Sequence, residues 1–371
     1  AKDVTLQSGR YNSGNMAKAS AGAADSASSS RLLRQLGLTS AMAIVVSNMI
    51  GTGIFTTSGF LAGDLGSPGL FLGIWLVGAV FALAGAMCYS ELGLNFPSSG
   101  GEYVYLTQAY GPTWGFLTGW ASFFAGFSAP IAAAALAVSD YLGFFFPALR
   151  TDAVLWKGGG DFLSVQIGGA QVLAVSLIAL LTLLNCFGLR EVAGVQNLLT
   201  AIKIGVVLGF IGLGFLLGSG DTAHFTEQTE RTSEVALPAQ FAISLFWVMF
   251  GYSGWNAATY IAEEIRHPER TLPKALALGT LLVTALYVGL NLVFLYGAPL
   301  GEMKGVLAIG SLAAQKLFGS EAAGIFSALM ALSLVATVNA MVMIGPRLYF
   351  AMAKNGAFFR WASIVHPVRR T

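Results

Sequence analysis

Two hydrophobic segments, about two hundred residues apart, are each interrupted at their middle by closely spaced glycines. The first reads Ser47-Asn48-Met49-Ile50-Gly51-Thr52-Gly53-Ile54-Phe55, and the second reads Phe250-Gly251-Tyr252-Ser253-Gly254-Trp255-Asn256. Each lies in a stretch apolar and long enough to cross a membrane, where a continuous helix disfavours glycine. Bare backbone at membrane depth persists only where it is buried in protein or lines a cavity. Interrupted helices at corresponding places in two halves of a chain point to the binding site of a secondary carrier. The pair therefore implies a cavity for a small polar solute between two broken helices.

The rest of the composition agrees with a membrane protein. Apolar residues make up 55% of the chain and charged residues 10%, against roughly 25% charged in ordinary soluble domains. Forty-six glycines and a mean hydropathy of +0.70 fit tightly packed transmembrane helices. A net charge of +2 with no basic run gives no basis for nucleic-acid binding. Cys88 and Cys186 both fall in apolar segments and read as small core residues, not as a disulfide or zinc framework.

Eight segments approach the ~20 residues that a ~30 Å hydrocarbon core requires. They cover 39–60, 69–95, 113–147, 168–187, 194–218, 239–262, 274–297 and 322–350, called below the first to the eighth span. Residues 1–30, rich in Ala, Ser, Gly and Asn, lack the apolar surface to fold and read as a disordered tail. The sequence begins at Ala1, and Met16 precedes a plausible native start, so residues 1–15 read as a vector or gene-model artefact. With the N-terminus inside, Arg31, Arg34, Arg190, Arg266, Arg270, Lys274, Arg347, Lys354, Arg360, Arg369 and Arg370 face the cytoplasm. Only Arg150, Lys157, Arg231, Lys304 and Lys316 fall on the other side. Positive charge collects inside, so a cytoplasmic N-terminus is the expectation.

Four runs carry a family resemblance. Ile50-Gly51-Thr52-Gly53-Ile54-Phe55 resembles the first-helix motif of the amino acid–polyamine–organocation superfamily. Pro97-Ser98-Ser99-Gly100-Gly101-Glu102-Tyr103 is similar to the loop after its second helix. Gly251-Tyr252-Ser253-Gly254-Trp255-Asn256, with Glu263-Glu264-Ile265-Arg266-His267-Pro268 and Leu272-Pro273, resembles its sixth helix and the following loop. Asn185-Cys186, Val195-Gln196-Asn197 and Lys203 resemble the helix 4–5 region of L-type-like bacterial amino acid permeases. The resemblance implies an all-α membrane protein with the leucine-transporter-type inverted repeat, in which helices 1 and 6 are discontinuous. It also implies about twelve helices, whereas this sequence presents about eight and stops in a loop at His366-Pro367-Val368-Arg369-Arg370-Thr371. The expectation is a transmembrane permease domain over 31–371, helices 1–8 of twelve, truncated at its C-terminus.

Within that frame the glycine breaks acquire roles. A break at Gly51-Thr52-Gly53 frees N–H groups at the start of a half-helix, a site for a carboxylate. A break at Gly251–Gly254 exposes carbonyl oxygens that can accept from an ammonium group. Together they suit a zwitterionic amino acid. The expected substrate contacts are Ile50, Gly51, Thr52, Gly53, Phe250, Gly251, Ser253, Gly254 and Asn256. The resemblance assigns Phe250 as a gate, and Trp255 with Asn256 would hold the unwound segment. The competing reading is helix packing, which small-xxx-small patterns also serve.

Lys203 is the most discriminating single residue. It lies about ten residues into the fifth span with no acidic neighbour at helical spacing. An ionisable group there is costly and functional by default. The resemblance places its ammonium where sodium-coupled relatives hold a sodium ion, between helix 1 carbonyls and helix 8 hydroxyls, with Thr337 and Ser333 as partners. That implies sodium-independent transport, and the same group offers a proton carrier.

Other polar residues read as structural. Asn339 faces either the pocket or a neighbouring helix, and Glu91 and Glu102 read as gate or loop contacts. Glu263 and Glu264 sit beside Arg266 and Arg270, which suggests a local ion-pair network. His224, His267 and His366 form no metal-ligand spacing, and no phosphate-binding loop, nucleophile elbow or zincin motif occurs. No cofactor and no enzyme activity are expected. No acidic residue or arginine lies near the breaks, which favours a neutral amino acid. The loop 148–167 contains no cysteine, whereas animal heterodimeric relatives use one there to link a heavy subunit; no disulfide-linked partner is expected, as in a stand-alone permease of a bacterial inner membrane. Three readings stay open: an exchanger or proton-coupled amino acid carrier, an amino acid-binding sensor that does not transport, and an inactive permease fragment.

Overall fold

A computed structural model describes residues 32–159 and 164–366. The tail 1–30, including Met16, and Arg31, Arg369 and Arg370 lie outside the described residues. Among those described, five helices are long and apolar enough to cross a membrane: Pro68–Asn95, Pro112–Leu142, Leu189–Leu217, Pro268–Gly297 and Ser320–Lys354. The first span is a sixth, made of Leu38–Met49 and Gly53–Leu65, bent by 41° at the glycine break. The shorter apolar helix Gly169–Asn185 is the fourth span. The sixth combines Leu237–Tyr252 with a tight 3-10 segment, Ala257–Glu264, across Ser253–Asn256. The chain has the leucine-transporter-type architecture that its sequence implied, with the first and sixth spans discontinuous.

Three additions modify an all-helical reading. After the third span the chain forms an antiparallel hairpin, β1 (Val154–Gly159) against β2 (Ser164–Gly168). Trp156 pairs with Ile167 there, and its ring covers Gly158 so closely that an added Cβ would lie 2.3 Å from it. Two short helices, Leu300–Met303 and Ile309–Phe318, fill the connection between the seventh and eighth spans. The third span contains a π-helical turn at Ser122–Ser128, a distortion often found where a helix borders a functional cavity. Cys88 and Cys186 correct the sequence reading: both lie exposed on the outside of the bundle, because the apolar surface of a membrane helix can face lipid as well as core.

The core gathers around the two broken helices. Gly53 and Gly251 meet so closely that a Cβ on Gly53 would lie 2.8 Å from the Gly251 Cα. Gly254 takes φ +101°, and a Cβ there would lie 2.8 Å from the backbone carbon of Asn48. Only glycine combines that φ with that approach. Trp255 anchors the unwound segment by packing edge-on to Tyr89, 4.9 Å between centroids, and over Gly85.

Each end of the bundle is fastened differently. At the end carrying the start of the first span, Leu36 bridges to Ile265, and Gln35 and Leu36 both donate to the Glu264 carbonyl. The Glu264 carboxylate, fully buried, pairs with Arg347 of the eighth span at 3.2 Å. This corrects the expected pairing with Arg266 and Arg270. The chain reverses at His267, φ +48°, and turns both arginines outward to solvent. Glu263 instead accepts from the Ser99 N–H. At the opposite end the fastening is largely backbone: Thr229 and Thr232 donate to Gly66 and Gly63, and Gly305 donates to Gly59.

Two stability predictions follow from these contacts. Gly254→Ala should lose about 1–3 kcal/mol from backbone strain and melt earlier in detergent. Gly37→Ala, whose added Cβ meets nothing within 4 Å, should melt like wild type. Arg347→Met should cost about 3–5 kcal/mol by stranding a buried carboxylate. In that variant nothing offsets the burial of the Glu264 carboxyl, which disfavours its charged form. Without the arginine the folded state binds a proton more tightly than the unfolded chain, so stability falls as pH rises. The melting deficit of Arg347→Met should therefore be largest at neutral pH and shrink on acidification.

Candidate functional site

The bends of the first and sixth spans leave a cavity of about 430 Å³ between them. Gly51, Thr52 and Gly53 line it from the first span. Phe250, Gly251, Ser253, Gly254 and Asn256 line it from the sixth. The π-helical turn of the third span, at 125–127, and Thr337 and Ile344 of the eighth close the remaining walls. No charged side chain lines the cavity among the described residues.

Local chemistry explains what each break presents. The first half-helix ends at Met49, with Ile50 as its cap, and the second begins at Gly53, so the leading N–H groups of the second lack intrahelical acceptors. They carry the positive end of the helix dipole, which favours an anion. In the sixth span the carbonyls are partly engaged already. Phe250 O accepts from Ser253 N, Gly254 O from Ala257 N, and Gly251 O from the Tyr287 hydroxyl. Each carbonyl retains a second lone pair for a ligand donor. Phe250 lines the cavity with 55% of its surface exposed. Ile50 is the exception in this group: its side chain is buried away from the cavity, and its carbonyl is directed to Lys203.

Lys203 is fully buried behind the first break. Its Nζ donates to Ser47 O at 3.1 Å, Ile50 O at 2.7 Å and Thr337 Oγ1 at 2.7 Å. Three ammonium N–H groups meet three acceptors, which is the condition for keeping a charge there. Thr337 Oγ1 in turn donates a hydrogen bond to Ile50 O at 3.0 Å. Ser333 does not join this cluster, and its buried hydroxyl has no hydrogen-bond partner among the described residues. It sits one turn from Thr337 on the same helix face, but at a different height from the break.

A polar ladder extends from this cluster through the bundle. Ser47 Oγ lies 2.8 Å from Thr200 Oγ1, and Gln196 donates to Thr200. Asn339 donates to Gln196 and accepts from Asn185. Asn339 therefore faces neighbouring helices and not the cavity. Tyr287 of the seventh span was invisible to motif reasoning. Its buried hydroxyl lies within hydrogen-bond reach of both Met49 O and Gly251 O, one carbonyl from each broken helix. The available signal was a phenol inside an apolar span, because a buried tyrosine hydroxyl needs a polar partner.

Comparison with known proteins places this geometry. Residues 36–370 match the family described as amino acid permease. The chain is 32% identical over 346 residues to the serine/threonine exchanger SteT of Bacillus subtilis (strain 168), covering 92% of this chain and 73% of that one. It is 30% identical over 343 residues to the human large neutral amino acids transporter small subunit 2, covering 92% and 61%. It is 31% identical over 348 residues to the human b(0,+)-type amino acid transporter 1, covering 92% and 67%. The chain thus spans about two thirds of the length of the curated relatives it matches. With its broken helices, its cavity and a match across nearly all of the described residues, the chain belongs to the amino acid permease family, as an integral membrane protein.

Proposed function

We propose that the protein carries neutral amino acids across a membrane by alternating access, without sodium, in exchange for a second amino acid. The observation that supports this best is the Lys203 ammonium held on Ser47 O, Ile50 O and Thr337 Oγ1, directly behind the break that lines the cavity. A fixed cation there supplies the charge that a bound metal cation would otherwise bring to the carbonyls of the broken helix.

The cavity itself supports the substrate class. The α-carboxylate goes to the N–H groups that start the half-helix at Gly53, next to Gly51 and Thr52. The ammonium goes to the carbonyls around Gly251–Gly254, with Ser253 and Asn256 as further polar contacts and Phe250 as the cover. A wall without charged side chains suits a neutral substrate side chain. The similarity to a serine/threonine exchanger supports exchange and a small substrate. The domain is the membrane bundle from 31 to 371, with the N-terminus in the cytoplasm and a bacterial inner membrane as its home. Loop 148–167, without cysteine, supports a stand-alone carrier and not one disulfide-linked to a heavy subunit. Neither catalysis nor a cofactor enters this reading.

Reconstituted into liposomes loaded with unlabelled neutral amino acids, the protein should accumulate labelled serine or threonine equally with and without sodium. Sodium-stimulated uptake would overturn the assignment to Lys203, and binding without accumulation would move the reading to a sensor. Lys203→Ala should cut exchange at least about tenfold, since it strands the buried Ser47 carbonyl and leaves Ile50 O with Thr337 alone.

A further inference from the structure

The linker between the second and third spans carries a carboxyl group that does not touch the cavity. Glu102 is the first residue of the helix Glu102–Tyr110. Its Oε1 accepts from Tyr260 Oη at 2.6 Å and from Ser122 Oγ at 3.1 Å. One oxygen thereby joins three parts: the linker, the 3-10 half of the sixth span, and the π-helical turn of the third. Its Oε2 is fully buried without a hydrogen-bond partner among the described residues.

Nothing nearby compensates a negative charge. No lysine, arginine or histidine forms an ion pair with Glu102 among the described residues. Arg347, at the same end, is engaged by Glu264. The titratable groups that face Glu102 are tyrosines: Tyr260 from the sixth span, Tyr89 from the second and Tyr105 from its own helix. From the eighth-span side, Asn355 reaches Tyr103 and not the carboxyl. Burial pushes the Glu102 carboxyl above the usual range, and the donors at Oε1 and at the helix start only moderate the rise.

Tyr260 connects this carboxyl to the cavity. Tyr260 and Asn256 both line the cavity, and Asn256 Nδ2 lies 3.5 Å from Tyr260 Oη. The same tyrosine is held by Gly100 N–H on its carbonyl and by Phe127, whose ring centroid is 5.2 Å away. The segment that bears it, Ala257–Glu264, follows the unwound stretch and contains a non-helical residue, Ile261. It is therefore a short, jointed piece of a helix that borders the cavity, and alternating access rocks or gates one part of the bundle against another around such a site. Any displacement of this segment separates the Tyr260 hydroxyl from Glu102, because that hydrogen bond joins two different elements.

We propose that Glu102 is a proton-binding site of the transport cycle. Its carboxyl carries a proton while Tyr260 is seated against it, and transfers that proton to water when the segment leaves. Reseating takes a proton back, so closure of this end is favoured by acid, and a complete exchange cycle moves no net proton through the site. The proposal rests on reading the protein as an alternating-access carrier.

Two measurements test it separately from that reading. Infrared titration of the purified protein should show the C=O stretch of a protonated carboxyl persisting well above about pH 5, where an ordinary glutamic acid has ionised. Glu102→Gln should remove that band. Glu91→Gln, at an exposed position late in the second span, should keep it. Tyr260→Phe removes a donor to the charged form and should move the midpoint upward. A band unchanged in Glu102→Gln would overturn the proposal, whether or not the protein transports. In liposomes, wild-type exchange should fall about tenfold per pH unit above the midpoint, while Glu102→Gln, permanently neutral, should give a flat profile. A pH profile shared by both proteins would also overturn it. Failure of wild type to exchange at any pH would defeat the carrier reading, and the infrared band would still decide the proton site.

Discussion

The amino group of Lys203, held at the end of a broken helix, is the interaction on which the rest of this structure depends. Ending the first half-helix at Met49 leaves terminal carbonyls without intrahelical donors in a place with little water. Lys203 supplies donors to two of them, and the negative end of the helix dipole favours its charge. Thr337 shares both Lys203 and Ile50 O, so the fifth, first and eighth spans meet at one point. The break is thereby a defined feature and not a defect that the surrounding helices would close. The ladder through Thr200, Gln196, Asn339 and Asn185 extends the same anchoring to the fourth span.

Much of this was legible because membranes penalise exceptions. Glycines at mid-span and a lysine deep in an apolar helix stand out against their surroundings, and both led to the cavity. Span positions followed from hydropathy, with ends displaced by a few residues where loops continue a helix, as at Pro268. What failed to show was whatever depends on axial height or distant pairing. Ser333 and Thr337 share a helix face, and only the height of the break decides that Thr337 meets Lys203. Glu264 has arginines two and six residues away in sequence, yet it pairs with Arg347, because one left-handed residue, His267, redirects the chain. Tyr287 offers only a phenol in an apolar span as a signal, since its partners are set where two other spans come together.

The two breaks are also tied to each other. Gly53 and Gly251 touch without side chains between them, and the single Tyr287 hydroxyl lies between Met49 O and Gly251 O. One proton cannot fully satisfy two carbonyls. The site therefore keeps spare acceptor capacity beside a cluster of helix-start donors, an uneven arrangement that suits the proposed zwitterionic substrate. That unevenness separates a binding cavity from ordinary glycine-mediated helix packing, which leaves no polar group waiting.

The ends of the bundle differ in kind, and that difference bears on how the cavity opens. One end is closed by backbone hydrogen bonds from 229–232 and 305 to glycines of the first span, bonds whose strength hardly depends on pH. The other end is fastened by two carboxyl groups, Glu264 on Arg347 and Glu102 on Tyr260 and Ser122. Buried carboxyl groups hold or release protons according to whether their partners stay in place. A carrier with both ends closed by backbone alone would open either end at rates indifferent to acidity. Here the carboxyl groups of Glu102 and Glu264 sit at the end where the 3-10 segment of the sixth span is jointed at Ile261, so the proposed proton site bears on the opening motion at that end.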